Sequence, residues 1–143
     1  MSFGSMQRWR HRLQKASDMF VQFNANPINR NTGDCTVRAI SVLMNQSWRD
    51  TYADLSMTAF YLSDMPSANE SWHEYLILNG YKRYAIPDTC PRCYTVKEFC
   101  MDHPKGRFML ATGHHVIAVI DGDYYDTWDS GLEVPIYYYA YSH

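Results

Sequence analysis

Late in the chain the hydrophobic period changes. Up to about residue 104 apolar residues recur at three- and four-residue spacing; beyond it they crowd into short runs of β-branched and aromatic residues. The first regime predicts helices. Residues 5–16 read as a short polar helix with Trp9 and Leu13 on one side. Residues 24–33, rich in Asn, Pro and Gly, read as an extended loop. A helix starts near Cys35, buries a stripe of Val37, Ile40, Leu43 and Met44, and ends at Asn45-Gln46. Ser47 with Asp50 resembles a capping box opening a helix of about a dozen residues, with Tyr52, Leu55, Ala59 and Leu62 on its apolar face. A third helix is expected over 68–79, with Trp72, Tyr75, Leu76 and Leu78 inward and Gly80 as its stop. Thr95 with Glu98 marks a short fourth one, ended by Pro104-Lys105-Gly106.

The second regime predicts four strands over 107–111, 115–120, 123–128 and 134–141, with Asp121-Gly122 as a hairpin turn. Helices followed by an antiparallel sheet make an α+β domain, with the Cys35 helix leading. In the last strand, Tyr137-Tyr138-Tyr139-Ala140-Tyr141 alternates poorly, so some tyrosines face outward, where they would suit a protein partner. Residues 1–20 read as an N-terminal basic helical arm and 21–143 as one domain.

Composition adds little to this picture. The 143 residues are 15% aromatic, with twelve tyrosines, which argues against disorder over most of the chain. No apolar run reaches transmembrane length, so no membrane partner is expected. The absence of a signal-peptide core at the N-terminus leads to a cytoplasmic expectation. In that setting the four cysteines are expected as free thiols, metal ligands or a catalytic thiol rather than disulfides. The net charge of −2 conceals an asymmetry between Arg8, Arg10, Arg12 and Lys15 at the start and Asp121, Asp123, Asp126, Asp129 and Glu133 near the end. A basic arm can bind nucleic acid, but four cations on a helix are more often a solvated face, so nucleic acid is not the expected partner.

Chemistry concentrates in two segments, Asn31-Thr32-Gly33-Asp34-Cys35 and Gly113-His114-His115-Val116 running through Asp121-Gly122 to Asp129. A cysteine at a helix N-terminus feels the positive end of the helix dipole, which favours the thiolate. Asp34 is a natural N-cap that would put Cys35 at the first helical position. The base is His115 or His114. Neighbours on a strand face opposite sides, and across the hairpin Asp129 falls opposite one of the two histidines with either a two- or a three-residue loop. Asp126 would lie further along, facing Ala118 or Ile117. His115 is therefore the expected base, His114 its alternative, and Asp129 the orienting acid.

Gly33-Asp34-Cys35-x-x-Arg38-Ala39, together with His115-Val116-Ile117-Ala118-Val119 leading to Tyr125-Asp126-Thr127-Trp128-Asp129, resembles small single-domain papain-like cysteine peptidases and their relatives in phages and bacteria. The similarity spans about residues 20–140. It implies a papain-like fold in the cytoplasm of a bacterium or phage-infected cell, with Cys35 as nucleophile, His115 as base and Asp129 orienting it. It also implies an oxyanion donor at Asn29 or Asn31 and a protein or peptide substrate, with no cofactor required. The papain-type Cys-Gly-Ser-Cys-Trp signature is absent and no Gln lies in the six residues before Cys35, so the resemblance supports acyl transfer through a thioester more than peptide hydrolysis as such. An inactive scaffold that binds a protein or ligand is the alternative. A rival site is Cys90-Pro91-Arg92-Cys93 with Cys100 and His103, four ligands of a type that suits structural zinc. With the basic arm, it frames a third class, a zinc-stabilised nucleic-acid binder.

Overall fold

A computed structural model describes residues 19–142. The elements run β1 (Phe20–Gln22), α1 (Cys35–Met44), α2 (Trp48–Leu62), α3 (Asn69–Leu78), β2 (Tyr81–Ala85), α4 (Val96–Asp102), β3 (Arg107–Ala111), β4 (Val116–Ile120), β5 (Asp123–Asp126) and β6 (Tyr137–Tyr141). Six strands form one sheet in the order β1-β5-β4-β3-β6-β2. The class is mixed α+β, with three of the four helices ahead of most of the sheet. The sheet is not wholly antiparallel as expected, because β1 pairs with β5 in parallel. The helix expected over 5–16 lies outside the described residues. Met19 is buried and Phe20 is already in the sheet.

Local chemistry accounts for the helix ends. The Ser47 hydroxyl accepts from Asp50 N–H at 3.0 Å, opening α2, and Thr95 does the same for Glu98 at 3.3 Å, opening α4. Asn45, at φ 52°, closes α1 in the left-handed region that asparagine tolerates. Asp121 and Gly122 both take positive φ, the two-residue turn that matches the twist of a hairpin.

The sheet separates two cores. On one face Val37, Ile40 and Leu43 of α1 pack with Leu55, Trp72 and Leu76 onto Met109, Ala111, Val116, Ala118 and Tyr139. On the other, Val96, Phe99 and Cys100 of α4 cover Leu110, Ile117, Val119 and Tyr124. Because β4 is covered on both faces, its continuous apolar run follows directly. Three inward expectations fail on the outer helices: Tyr52 is 47% exposed, Leu62 42% and Leu78 70%. Leu62 and Leu78 are the last residues of their helices, and Tyr52 stacks on Trp48. Among the tyrosines of β6, Tyr139 is fully buried and Tyr141 is exposed.

β1 and β2 went unread in the sequence for a physical reason. β1 is three residues long, and β2, Tyr-Lys-Arg-Tyr-Ala, is an edge strand exposed after its first residue, so neither carries an apolar run. No helix among the described residues is long and apolar enough to cross a membrane.

Candidate active site

Cys35 is the first residue of α1 and is half-buried. The element that brings a partner to it is the bend between β3 and β4. There Thr112 Oγ1 accepts from the N–H groups of His115 (3.1 Å) and His114 (3.4 Å), while Thr112 N–H donates to the His115 carbonyl at 2.8 Å. This knot holds His115 just ahead of β4 rather than in it. The side chain is therefore released from strand alternation and reaches the α1 side, within interaction distance of Cys35. His114 is exposed at the outer corner of the same bend.

Asp126, the last residue of β5, completes the line: His115 Nε2 lies 2.6 Å from its Oδ2. With Nε2 on the carboxylate, Nδ1 is the ring nitrogen left for the thiol. Asp126 is itself fully engaged. Oδ2 also accepts from the Ser130 hydroxyl at 2.7 Å, and Oδ1 from Thr127 N–H at 2.8 Å. Ser130 is completely buried. Trp128 lies against the opposite side of the site, its ring stacked on His115 with centroids 5.3 Å apart.

The electrostatics follow from this geometry. Burial pushes the Cys35 thiol up, but the His115 hydrogen bond, the Val116 N–H, the imidazolium charge and the Thr36 hydroxyl together bring it below its ordinary value of 9.0. Burial likewise depresses His115, and the Asp126 and Cys35 interactions override it, raising the imidazole to about 9. At neutral pH the imidazole is charged, and its charge favours the thiolate form of Cys35.

The expected orienting acid, Asp129, is not on the histidine. The hairpin loop is two residues, with Ile120 paired to Asp123, and β5 stops at Asp126. The ladder that would have carried Asp129 to a histidine does not extend that far. The chain turns after Thr127, and the Asp129 carboxylate accepts instead from the Tyr124 hydroxyl and from Gly131 N–H. The Tyr124 bond, against a small opposing effect of burial and helped by Gly131 N–H and Lys97, holds Asp129 below the usual carboxylate range. A Cβ at Gly131 would clash with the Tyr124 hydroxyl, which is itself held on Asp129.

Asp34 immediately precedes α1 as expected but caps nothing with its side chain. It is buried, and its carboxylate accepts from Trp48 Nε1 (2.9 Å) and Asn26 Nδ2 (3.3 Å), with Arg38 Nε 3.3 Å away. Arg38 Nη1 also donates to Thr127 Oγ1 at 3.2 Å, tying α1 to the turn that follows Asp126. This answers the repulsion expected from a carboxylate beside a thiolate, because Arg38 balances its charge. Of the loop asparagines, Asn29 and Asn31 are exposed; the buried one is Asn26, whose Oδ1 accepts from Ile28 and Arg30 N–H. Neither expected oxyanion residue is therefore drawn into the site.

The zinc set is not gathered. Cys90 and Cys93 form a disulfide, against the expectation of free thiols. Cys100 is buried in the core under α4, and His103 stacks on Phe99 with Nδ1 2.9 Å from the Phe99 carbonyl. Among the described residues no group of three or more His, Cys, Asp or Glu could hold a metal ion.

Sequence reasoning named Cys35 and His115, had Asp126 in view and set it aside, and missed Ser130, Arg38 and Trp128 as parts of the site. The four-residue spacing of Asp34 and Arg38, and of Asp126 and Ser130, was the available signal. Comparison with known proteins found no matching family model, no matching curated protein and no matching solved structure.

Proposed function

We propose that the chain is a cysteine-dependent acyl-transfer enzyme, a hydrolase of peptide, isopeptide or side-chain amide bonds, built on a papain-like plan with Cys35, His115 and Asp126 as its triad. The observation that carries the reading is the line from Cys35 through His115 to Asp126, with the thiol lowered and the imidazole raised by the contact they share.

The Cys35 thiolate adds to the amide carbonyl. No side chain caps α1, so its first-turn N–H groups are available beside the sulfur to receive the oxyanion. The His115 imidazolium gives its proton to the leaving nitrogen as the C–N bond breaks, leaving a thioester. His115, now neutral, takes a proton from water or an acceptor amine, which attacks the thioester; the acyl product leaves and the thiolate and imidazolium are restored. Asp126 fixes the ring and favours its charged form, and Trp128 shields one side of the imidazole from solvent.

The test is alkylation by iodoacetamide at neutral pH. Cys35 reacts faster than an unperturbed thiol, and Cys35→Ala abolishes both this fast labelling and amide turnover. Fast labelling without turnover on any amide would favour a binding scaffold; labelling at the rate of a free thiol would overturn the thiol reading.

A further inference from the structure

The site described so far accounts for the reacting bond and leaves a neighbouring feature unused. A narrow cleft at Cys35 is walled by Phe23, Val42 and Tyr125 among others. The same three residues form one side of a second, larger cleft of about 340 Å³, which continues along α1 toward its C-terminal end. Its other walls include Trp48, Ile120 and Arg107. The two spaces are thus neighbours with shared walls along one face of α1.

The walls state a chemistry. Phe23 is 47% exposed, and the Trp48 ring stacks on Tyr52 with centroids 5.1 Å apart, which fixes the indole. Aromatic and branched side chains surrounding open space gain from an apolar occupant. Among the described residues lining the second cleft, Arg107 is the one that carries a charge. Its Nη1 donates to the carbonyls of Leu43 (3.0 Å) and Val42 (3.4 Å), so the guanidinium is pinned at the end of α1. Those bonds use Nη1 alone of a five-donor group, and among the described residues no carboxylate is ion-paired with Arg107. The negative end of the helix dipole takes part of that charge, but a guanidinium already held in place still presents its remaining donors to an anion.

Distance sets the register. From Cys35 to Val42 the helix rises about 10 Å, at roughly 1.5 Å per residue. An extended peptide covers that in about three residues.

We propose that this second cleft receives the C-terminal residue of the substrate, an aromatic side chain lying against Phe23, Trp48 and Tyr125 and the free terminal carboxylate on Arg107. The bond attacked is then about three residues from the chain end, given the spacing above, and the departing amine belongs to a short C-terminal peptide. The assignment rests on the thiol reading for which bond breaks, but not for binding itself.

Binding of N-acetyl-Ala-Ala-Phe as the free acid, as the carboxamide, and of the free acid ending in Ala tests it, followed by Trp fluorescence and calorimetry on the full chain carrying Cys35→Ala. The acid ending in Phe binds; amidation weakens it by about tenfold or more, the loss expected when a charge-assisted hydrogen bond is removed. Replacing Phe by Ala weakens it as well. Arg107→Gln removes the difference between acid and amide while Phe remains preferred over Ala. Equal binding of acid and amide, or no binding of either, overturns the proposal, and if Arg107→Gln fails to fold the wild-type ligand series decides alone. Fast Cys35 alkylation with no acid preference would sink this assignment and leave the thiol reading standing. Acid-selective binding with an unreactive Cys35 would do the reverse.

Discussion

The chain holds two free cysteines, one on each side of its sheet, and they have opposite fates. Burial pushes both thiols up. At Cys35 a histidine backed by a carboxylate, a backbone N–H and a hydroxyl more than reverse that effect. At Cys100, in the middle of α4, nothing reverses it, and the nearby Asp123 carboxylate adds to it, leaving the thiol at about 12. Each region also has a histidine. His115 has a carboxylate on one nitrogen and the thiol on its other side, whereas His103 is stacked on Phe99 and bonded to a main-chain carbonyl. Burial alone therefore makes a thiol inert; reactivity needs a cation held against it, and a cation stays held only if an anion fixes it.

The sharpest way to break this contrast is at the two aspartates. Asp126→Asn removes the charge that keeps His115 protonated and oriented, and turnover falls by about 10⁴-fold, as for loss of the acid in a Ser–His–Asp triad. Asp129→Asn leaves turnover near wild type and lowers stability by about 1 kcal/mol, the net worth of one hydrogen bond. Steady-state kinetics and thermal unfolding of the two variants decide the matter; the opposite ranking would reinstate Asp129.

The pH dependence comes next in size. His115 is raised, so its imidazolium survives until pH passes about 9, and Cys35 is lowered, so its thiolate is already present below pH 9.0. Turnover, which needs the imidazolium as acid, falls above about pH 9 by about tenfold per unit. Alkylation of Cys35, which needs only the thiolate, does not fall there. Parallel loss of both would show that the two groups do not titrate as an ion pair.

Ser130→Ala has a smaller effect. Oδ2 of Asp126 then loses one of its two partners, and turnover falls by about tenfold, within the range by which loss of an outer hydrogen-bond partner weakens a site. A loss confined to thermal stability would show that Ser130 holds only the turn. Smallest of all, Cys100→Ala leaves alkylation kinetics and turnover unchanged and lowers stability by about 1–2 kcal/mol through the small cavity under α4.

The sequence by itself determined what depends on neighbours along the chain. The period of Val37, Ile40 and Leu43 set α1, Ser47 and Thr95 set the starts of α2 and α4, and Asp121-Gly122 set the hairpin. Placing Cys35 first in a helix needed only the turn residues ahead of it. Tertiary structure decided everything that depends on where a strand stops or what lies across from it. The β3–β4 bend lifts His115 out of the strand, so alternation could not say which way it points. β5 ends at Asp126, so extending the ladder to Asp129 overran the strand. Asp34, which reads locally as a cap, is claimed by Trp48, Asn26 and Arg38 from other parts of the fold. Local propensity is a property of a few consecutive residues; the choice of partner for a buried charge is made by all the elements that converge on it, and these meet only when the chain is folded.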